Sequence, residues 1–191
     1  YHHNLFAHNV SRSPRVNGCR AHDTTAVQDF RNNVIYNWGS SSAIYGGEVE
    51  ITDPNNPGKA RCTINWVNNY YKPGPATPST KYFAQPYYTS GYDYGKWYLS
   101  GNVMEGVSGG MNDDNWLGMN LSKVGSAANI RSDSMFTVEP VTTHSAAEAF
   151  ALVLASAGAS YPKRDPIDER IIGQITGTVT SFASGAFGIN K

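Results

Sequence analysis

The sequence feature that most constrains the fold is a recurring asparagine followed by two apolar residues. It recurs as Asn4-Leu5-Phe6, Asn33-Val34-Ile35, Asn69-Tyr70-Tyr71 and Asn102-Val103-Met104, at intervals of 29, 36 and 33 residues. Recurrence at similar but unequal intervals predicts a solenoid whose turns share one inward corner and whose loops differ in length. An ordinary turn asparagine at each position is the alternative interpretation.

Asparagine suits such a corner for a chemical reason. Its amide donates and accepts hydrogen bonds, so asparagines stacked turn upon turn can satisfy one another and the buried backbone. Asparagine also tolerates the left-handed backbone conformation that a sharp corner requires. We therefore expect a continuous asparagine ladder in which these residues adopt that conformation.

The composition favours short strands over helices. The 191 residues are 40% hydrophobic, which is enough for one sizeable core, and they include 19 glycines, 10 prolines and 12 tyrosines, with only 16% charged residues. β-branched and aromatic residues concentrate in segments that we expect to be strands. These segments are residues 26–30, 48–51, 62–67 and 96–99. The sequence thus predicts an all-β fold for most of the chain.

The C-terminal part changes character. Ser145 and Glu148 form a capping-box pattern that starts one amphipathic helix, and Asp165-Pro166 starts a second. A solenoid needs its open ends covered, so we interpret these helices as a cap. The predicted organisation is therefore residues 1–140 as solenoid turns with long loops, and residues 141–191 as a helical cap or tail that packs on the end of the solenoid.

Charge and cysteine content exclude some functions. Fifteen basic residues balance 15 acidic ones, so net charge predicts no nucleic-acid binding, and anion recognition must be local. Cys19 and Cys62 lack metal-ligand spacing, and whether they pair is left open. No apolar run has the length of a membrane span. Because the chain begins at Tyr1 within a strand-like segment, we expect it to be the C-terminal part of a longer precursor.

The local anion site is expected at Arg12-Ser13-Pro14-Arg15, directly after the first strand-like segment. Surface ion pairs are the alternative role for these arginines. Trp38 and Tyr45, on the next predicted turn, are candidate groove residues. The acidic run 112–115 is interpreted as a solvated turn in preference to a cation site.

Several of these segments resemble one known family. Tyr1-His2-His3-Asn4-Leu5-Phe6 with Arg12-Ser13-Pro14-Arg15, then residues 31–39, 67–74 and 157–165, are similar to the pectate lyase superfamily. Within it they resemble the first family of polysaccharide lyases, in particular the C-terminal portion of secreted bacterial enzymes of the Bacteroidetes type. The resemblance implies a right-handed parallel β-helix, here with a short C-terminal α-helical cap.

The resemblance also implies a reaction, β-elimination on polygalacturonate. A base removes the proton at C5, the bond from C4 to the glycosidic oxygen breaks, and a 4,5-unsaturated sugar end remains. By resemblance Arg12 is the base, Arg15 and Arg20 bind substrate, and Ca²⁺ stabilises the developing charge. Many relatives carry an arginine where this chain has Asn17, so one substrate contact is missing or is supplied by Arg20 or Arg15.

The resemblance places the calcium ligands, and a substrate-binding lysine, on turns before Tyr1, so no metal ligand is assigned within this chain. The expected partners are acidic polysaccharide and the missing N-terminal turns, with no nucleic acid and no membrane, and the expected location is secreted or periplasmic. The alternative function is a non-catalytic β-helix that binds acidic polysaccharide through Arg12, Arg15 and the tyrosine-rich run 82–98.

Overall fold

The computed structural model describes residues 1–20, 25–52 and 61–181. The strands in these ranges pair only in parallel. They are β1 (Leu5–Ala7), β2 (Arg15–Val16), β3 (Thr25–Arg31), β4 (Val34–Tyr36), β5 (Ser42–Gly46), β6 (Arg61–Val67), β7 (Tyr70–Lys72), β8 (Tyr82–Pro86), β9 (Lys96–Ser100) and β10 (Val103–Met104).

The strands form three parallel sheets that the chain visits in rotation. One sheet has the order β1-β4-β7-β10, the second β2-β5-β8 and the third β3-β6-β9. Leu5, Val34, Tyr70 and Val103 are in register across the first sheet, so each strand lies beside its equivalent one turn later. This arrangement agrees with the predicted β-rich fold and is compatible with a parallel β-helix.

The predicted asparagine ladder is confirmed. Asn4 Nδ2 donates to Asn33 Oδ1 at 2.9 Å, Asn33 Nδ2 to Asn69 Oδ1 at 3.0 Å, and Asn69 Nδ2 to Asn102 Oδ1 at 2.9 Å. Each of these oxygens also accepts the backbone N–H of the preceding ladder residue. The ladder continues one step further than predicted, because Asn102 Nδ2 donates to Asn115 Oδ1 at 2.9 Å.

The left-handed conformation falls one residue earlier than predicted. His3, Asn32, Asn68 and Gly101, each directly before a ladder asparagine, have φ between 50° and 65°. The ladder asparagines themselves do not have positive φ, so their expected left-handed backbone was wrong. The corner thus separates two tasks: one residue makes the bend, and the next satisfies the buried backbone.

Large aromatic side chains fill the space between the sheets. Trp66, Tyr71 and Trp97 are fully buried, and Trp66 Nε1 donates to the Tyr71 hydroxyl at 2.8 Å. Cys19 and Cys62 are buried in the same core and are not joined by a disulfide. A hydrogen bond with Cys19, together with burial, raises the pKa of the Cys62 thiol.

Of the predicted strands, that over residues 48–51 was wrong. Strand β5 ends at Gly46, and Gly46 and Gly47 have φ of 132° and 79°, which breaks strand pairing. The following segment is extended without ladder pairing and is held by single contacts, such as Glu50 N to Cys19 O at 2.9 Å.

The helices are α1 (Ala127–Ile130), α2 (Ala146–Ser156) and α3 (Pro166–Thr176), preceded by 3₁₀ turns at Asn115–Gly118 and Leu121–Lys123. The predicted capping box at Ser145 and Glu148 is present, and Asp165 caps the N-terminus of α3. Both predicted helix starts are confirmed. Within the described ranges no helix is both long and apolar enough to cross a lipid bilayer.

The long helices lie against the side of the first sheet, whereas we expected them at an end of the strand stack. Val153 and Leu154 of α2 and Ile175 of α3 form a second hydrophobic cluster with Val34 and Tyr36 of β4. This cluster is separate from the main core, because alternate residues of β4 face opposite sides of the sheet. The boundary at residue 140 between the solenoid turns and the helical cap stays a prediction.

The two ends of the strand stack differ. At the end after β10, Met119, Val124 and Ile130 from the irregular segment with the 3₁₀ turns and α1 join the main core, and Met119 bridges to Ala84 of β8. At the other end, β1, β2 and β3 each have a strand partner on one side only within residues 1–20, 25–52 and 61–181. An open cavity of about 570 Å³ lies at this edge, lined in part by Phe6, Phe30 and Val27.

Candidate functional site

Arg12 lies at the corner between β1 and β2, where the backbone bends sharply. Its φ is 62°, in the left-handed region, and the nearby peptide bond between Ser13 and Pro14 is cis. Ser13 N donates to Ala43 O of β5 at 3.0 Å, which fixes the corner against the following turn. The Arg12 side chain is thereby placed on the outer surface, beside the second sheet.

The Arg12 guanidinium contacts Tyr45 of β5. Its Nε donates to the Tyr45 hydroxyl at 2.8 Å, and its central carbon is 5.5 Å from the centre of the ring. Among the described residues, Arg12 makes no ion pair with a carboxylate. The predicted base is therefore held by a neutral partner.

Arg15 of β2 is held more tightly. Its Nη2 donates to Glu48 Oε1 and its Nε to Asn17 Oδ1 at 3.0 Å, while its guanidinium carbon lies 4.7 Å from the centre of the Tyr45 ring. The Arg15 and Tyr45 backbones are in register across the sheet. Arg12 and Arg15 thus share one aromatic ring, and among the residues that the structure describes only Arg15 of the two has an acidic partner.

Arg20 contacts the same carboxylate as Arg15. Its Nη2 contacts Glu48 Oε1, and its Nε lies 3.1 Å from Glu50 Oε2. The structure therefore links the three predicted arginines through Tyr45 and Glu48. Two glutamates already engage Arg20, so it is less available to a substrate than Arg12.

Glu48 is the residue of this neighbourhood that sequence reasoning missed. It is 3% exposed, its Oε1 accepts from two guanidiniums, and its Oε2 is buried without a hydrogen-bond partner among the described residues. A signal was present in the chain: Glu48 follows Arg15 by 33 residues, as Tyr45 follows Arg12, and 33 residues is about one turn of the asparagine repeat.

Of the two candidate groove residues, one lies near the surface and the other lies in the core. Tyr45 is half-buried at the arginines, as expected for a groove residue, whereas Trp38 is fully buried and packs on Tyr71, so its expected surface position was wrong. In the tyrosine-rich run, Phe83 and Trp97 belong to the core and Tyr88 stacks on Tyr94 at 4.1 Å. Most of this run therefore packs the fold.

The acidic run 112–115 has structural contacts. Asn112 pairs with the backbone of Met104, Asn115 ends the asparagine ladder, and Asp114 accepts the backbone N–H of Trp116 at 3.0 Å. These contacts support the interpretation as a turn. In the part of the chain that the structure describes, no group of three or more His, Cys, Asp or Glu residues could hold a metal ion. The described residues therefore do not fit a calcium site.

Histidines form a short chain away from the arginines. His2 Nδ1 is 3.0 Å from His3 Nδ1, and His3 Nε2 is 3.0 Å from His144 Nδ1. Burial, with the two neighbouring imidazoles, lowers the pKa of His3. These contacts give His2 and His3 a hydrogen-bonded role.

Comparison with known proteins finds relatives that share one name. The chain is 30% identical over 172 residues to a protein of Neosartorya fischeri named "Probable pectate lyase C", and over 173 residues to one of the same name in Aspergillus terreus. A relative of that name in Emericella nidulans is 27% identical over 179 residues. Each match covers 90% of this chain, and no family model matches it.

The chain spans about a third of the length of these fungal relatives, 35% for the first two and 34% for the third. The similarity concerns a portion of each relative, so the activity of the whole protein is a separate question.

Proposed function

We propose that the chain is a pectate lyase, or the C-terminal portion of one, that cleaves polygalacturonate by calcium-assisted β-elimination with Arg12 as the base. The observation that carries this proposal is the difference between the arginines: Arg15 and Arg20 pair with Glu48, whereas Arg12 contacts no carboxylate among the described residues. The similarity to proteins named pectate lyase C supports the reaction class.

The chemistry of the base explains why a carboxylate partner would be unfavourable. A guanidinium normally stays protonated, and a neighbouring carboxylate favours that charged form. To act as a base, Arg12 must present a neutral nitrogen to the proton at C5. A hydroxyl partner such as Tyr45 orients the side chain without adding a negative charge.

In the proposed step the proton moves from C5 to a terminal nitrogen of Arg12. The electrons of the C5–H bond form the C4–C5 double bond, and the bond from C4 to the glycosidic oxygen breaks. The departing oxygen takes a proton from water. Placing the acceptor nitrogen within hydrogen-bond reach of the C5 proton is the contribution of the corner between β1 and β2.

Arg15 is proposed to bind a substrate carboxylate. Two of its nitrogens, Nε and Nη2, already donate to Asn17 and Glu48, so Nη1 remains for the substrate. One charge-assisted hydrogen bond is then expected in place of a bidentate pair. Arg20 is proposed as a weaker substrate contact, because it must exchange a bond with Glu48 or Glu50 to reach a ligand.

Calcium is proposed as the cofactor, with ligands outside the described residues. When bound between protein acids and the uronate carboxylate, a hard cation stabilises the negative charge that develops as the C5 proton leaves. No step assigned to this chain's own residues depends on the position of that ion.

The remaining parts of the proposal concern architecture and location. A right-handed parallel β-helix would continue through turns before β1, and the one-sided pairing of β1, β2 and β3 with the open cavity beside them supports such a continuation. The preceding turns of a longer chain are the proposed partner there. We further propose a secreted or periplasmic location, while the Bacteroidetes type stays a prediction because the matching relatives are fungal.

A second function, binding of acidic polysaccharide without catalysis, is favoured by one observation: Arg12 is exposed and Arg15 keeps a quarter of its side chain exposed, so both could bind uronate carboxylates without turnover. The two functions are separated by incubating the protein with polygalacturonate and Ca²⁺ and following the ultraviolet absorbance of the unsaturated product. A rise that requires Ca²⁺ supports the lyase. Binding of polygalacturonate without any rise would support the non-catalytic protein.

A further inference from the structure

Tyr45 of β5 contacts two of the predicted site arginines at once. Its hydroxyl accepts a hydrogen bond from Arg12 Nε at 2.8 Å, and the guanidinium carbons of Arg12 and Arg15 lie 5.5 and 4.7 Å from the centre of its ring. We propose that Tyr45 is a positioning residue that orients the Arg12 side chain so that, in its neutral guanidine form, a terminal nitrogen can accept the C5 proton. This inference rests on the proposed function.

The hydrogen bond selects one nitrogen of Arg12. Because Nε–H donates to the Tyr45 hydroxyl, rotation about the end of the side chain is restricted, and the two terminal nitrogens have no hydrogen-bond partner among the described residues. Proton transfer requires a terminal nitrogen that is free and correctly placed. Tyr45 therefore anchors Nε of Arg12 and leaves the two terminal nitrogens available.

The chemistry of the phenol suits this task better than that of an acid. A glutamate at position 45 could accept the same hydrogen bond, but its charge would stabilise the protonated guanidinium. The neutral phenol accepts the bond without a formal negative charge, and its ring lies against the planar group, 5.5 Å from the guanidinium carbon. Glu48, which is an acid, pairs with Arg15 and Arg20, and the described contacts of Arg12 do not include it.

The surrounding strands hold Tyr45 itself in place. Its backbone is in register with Arg15 on one side and Gln85 on the other, so β5 is the middle strand of its sheet at this point. The Tyr87 ring lies 5.2 Å away and supports the Tyr45 ring from the next turn. The anchor therefore belongs to the paired sheet, whereas Arg12 lies in the preceding loop.

Stacking of a sugar on the Tyr45 ring is the competing role. It predicts a different kinetic result, because loss of a stacking surface weakens substrate binding and raises KM. Loss of a positioning contact leaves binding nearly unchanged and lowers kcat. The position of two guanidiniums over the ring favours the positioning role.

The test compares Tyr45→Phe, which removes the hydroxyl and keeps the ring, with Tyr45→Leu, which removes both. Tyr70→Phe is the matched control, because it removes a hydroxyl that contacts Glu105 in a different sheet. The protein is assayed in the form that turns over polygalacturonate, either this chain or a longer chain that contains it. We expect Tyr45→Phe to lower kcat by about tenfold or more with KM and Tm unchanged, and Tyr45→Leu to lower kcat further. Tyr70→Phe should leave kcat unchanged.

An unchanged kcat in Tyr45→Phe, or a rise in KM alone, would overturn the inference while leaving the proposed function intact. Absence of turnover in the unsubstituted protein would overturn the proposed function and, with it, the catalytic role of Tyr45. The contact itself is tested without activity by ¹⁵N NMR of the Arg12 Nε–H. Faster hydrogen exchange in Tyr45→Phe is expected, and unchanged exchange would contradict the inference.

Discussion

Arg15 and Glu48, 33 residues apart in the chain, meet in an ion pair between adjacent turns of the strand stack. The carboxylate is almost fully buried, whereas the arginine keeps a quarter of its side chain exposed. Arg20 contacts the same oxygen. One buried acid thus pairs with two of the three predicted site arginines, whereas the described contacts of Arg12 are with the neutral Tyr45.

The first prediction concerns this buried acid. Glu48→Gln removes the charge that compensates Arg15 and Arg20, and we expect the free energy of unfolding to fall by about 2 kcal/mol, measured by urea denaturation. Glu50→Gln is the matched control, because Glu50 pairs with Arg20 at the surface, and it should cost less than about 1 kcal/mol. Equal costs for the two variants would contradict the central role of Glu48.

The second prediction concerns the asparagine ladder. Asn69 is fully buried, and its side-chain oxygen accepts both the backbone N–H and the side-chain amide of Asn33. Asn69→Ala leaves these donors unpaired, so we expect a loss of about 3 kcal/mol in unfolding free energy. The exposed first member serves as the control: Asn4→Ala should cost under about 1 kcal/mol. A small effect at Asn69 would show that the ladder contributes little.

The third prediction concerns the position of α2 on the side of the first sheet. Leu154 is 9% exposed and packs in the cluster with Val34 and Tyr36, whereas Leu152 of the same helix is 44% exposed. Leu154→Ala should therefore lower the unfolding free energy by about 2 to 3 kcal/mol and Leu152→Ala by under about 1 kcal/mol. The reverse order would mean that the helix presents its other face to the sheet.

The fourth prediction concerns acid stability. Burial of Asp29 opposes ionisation of its carboxyl, but hydrogen bonds from Arg31 and Asn65 outweigh this effect and hold the pKa of Asp29 below its usual 3.8. A carboxyl whose pKa is lower in the folded state than in the unfolded state stabilises the fold at pH values above its unfolded-state pKa. This contribution is lost as the pH falls through the folded-state pKa.

We therefore expect the unfolding free energy to decrease as the pH falls below 3.8, with a smaller decrease in Asp29→Asn. Urea denaturation at a series of acidic pH values measures both slopes. Identical slopes in the two proteins would mean that Asp29 ionises alike in the folded and unfolded states.

The repeat could be predicted because the same short motif marks each turn of the chain. An asparagine ladder requires the same residue at every turn, so the period can be read from one chain. Both helix starts were also predictable, since a capping box is contained within four residues. The fifth ladder member, Asn115, followed Asn102 by only 13 residues and therefore escaped a search for similar intervals.

The contacts of the site were harder to predict because they join different turns. Arg12, Arg15 and Arg20 could be selected by resemblance, but their partners Tyr45 and Glu48 depend on strand register. The 33-residue offset of Arg12 and of Arg15 from their partners points to that register but does not fix it, because the asparagine repeat varies from 29 to 36 residues. The sequence also does not show which side of the first sheet the helices cover. In β4 the outward residues Val34 and Tyr36 and the inward Ile35 are all hydrophobic and buried. The catalytic and substrate-binding roles stay predictions.

The central claim is that Arg12 is the base, and Arg12→Lys tests it most directly. Lysine keeps the positive charge but loses the guanidinium and its anchored Nε. In the form of the protein that turns over polygalacturonate with Ca²⁺, we expect kcat to fall by about 10³-fold or more, while the affinity for oligogalacturonate, measured by calorimetry, changes by less than about threefold. Turnover within about tenfold of the unsubstituted protein, with binding retained, would contradict Arg12 as the base.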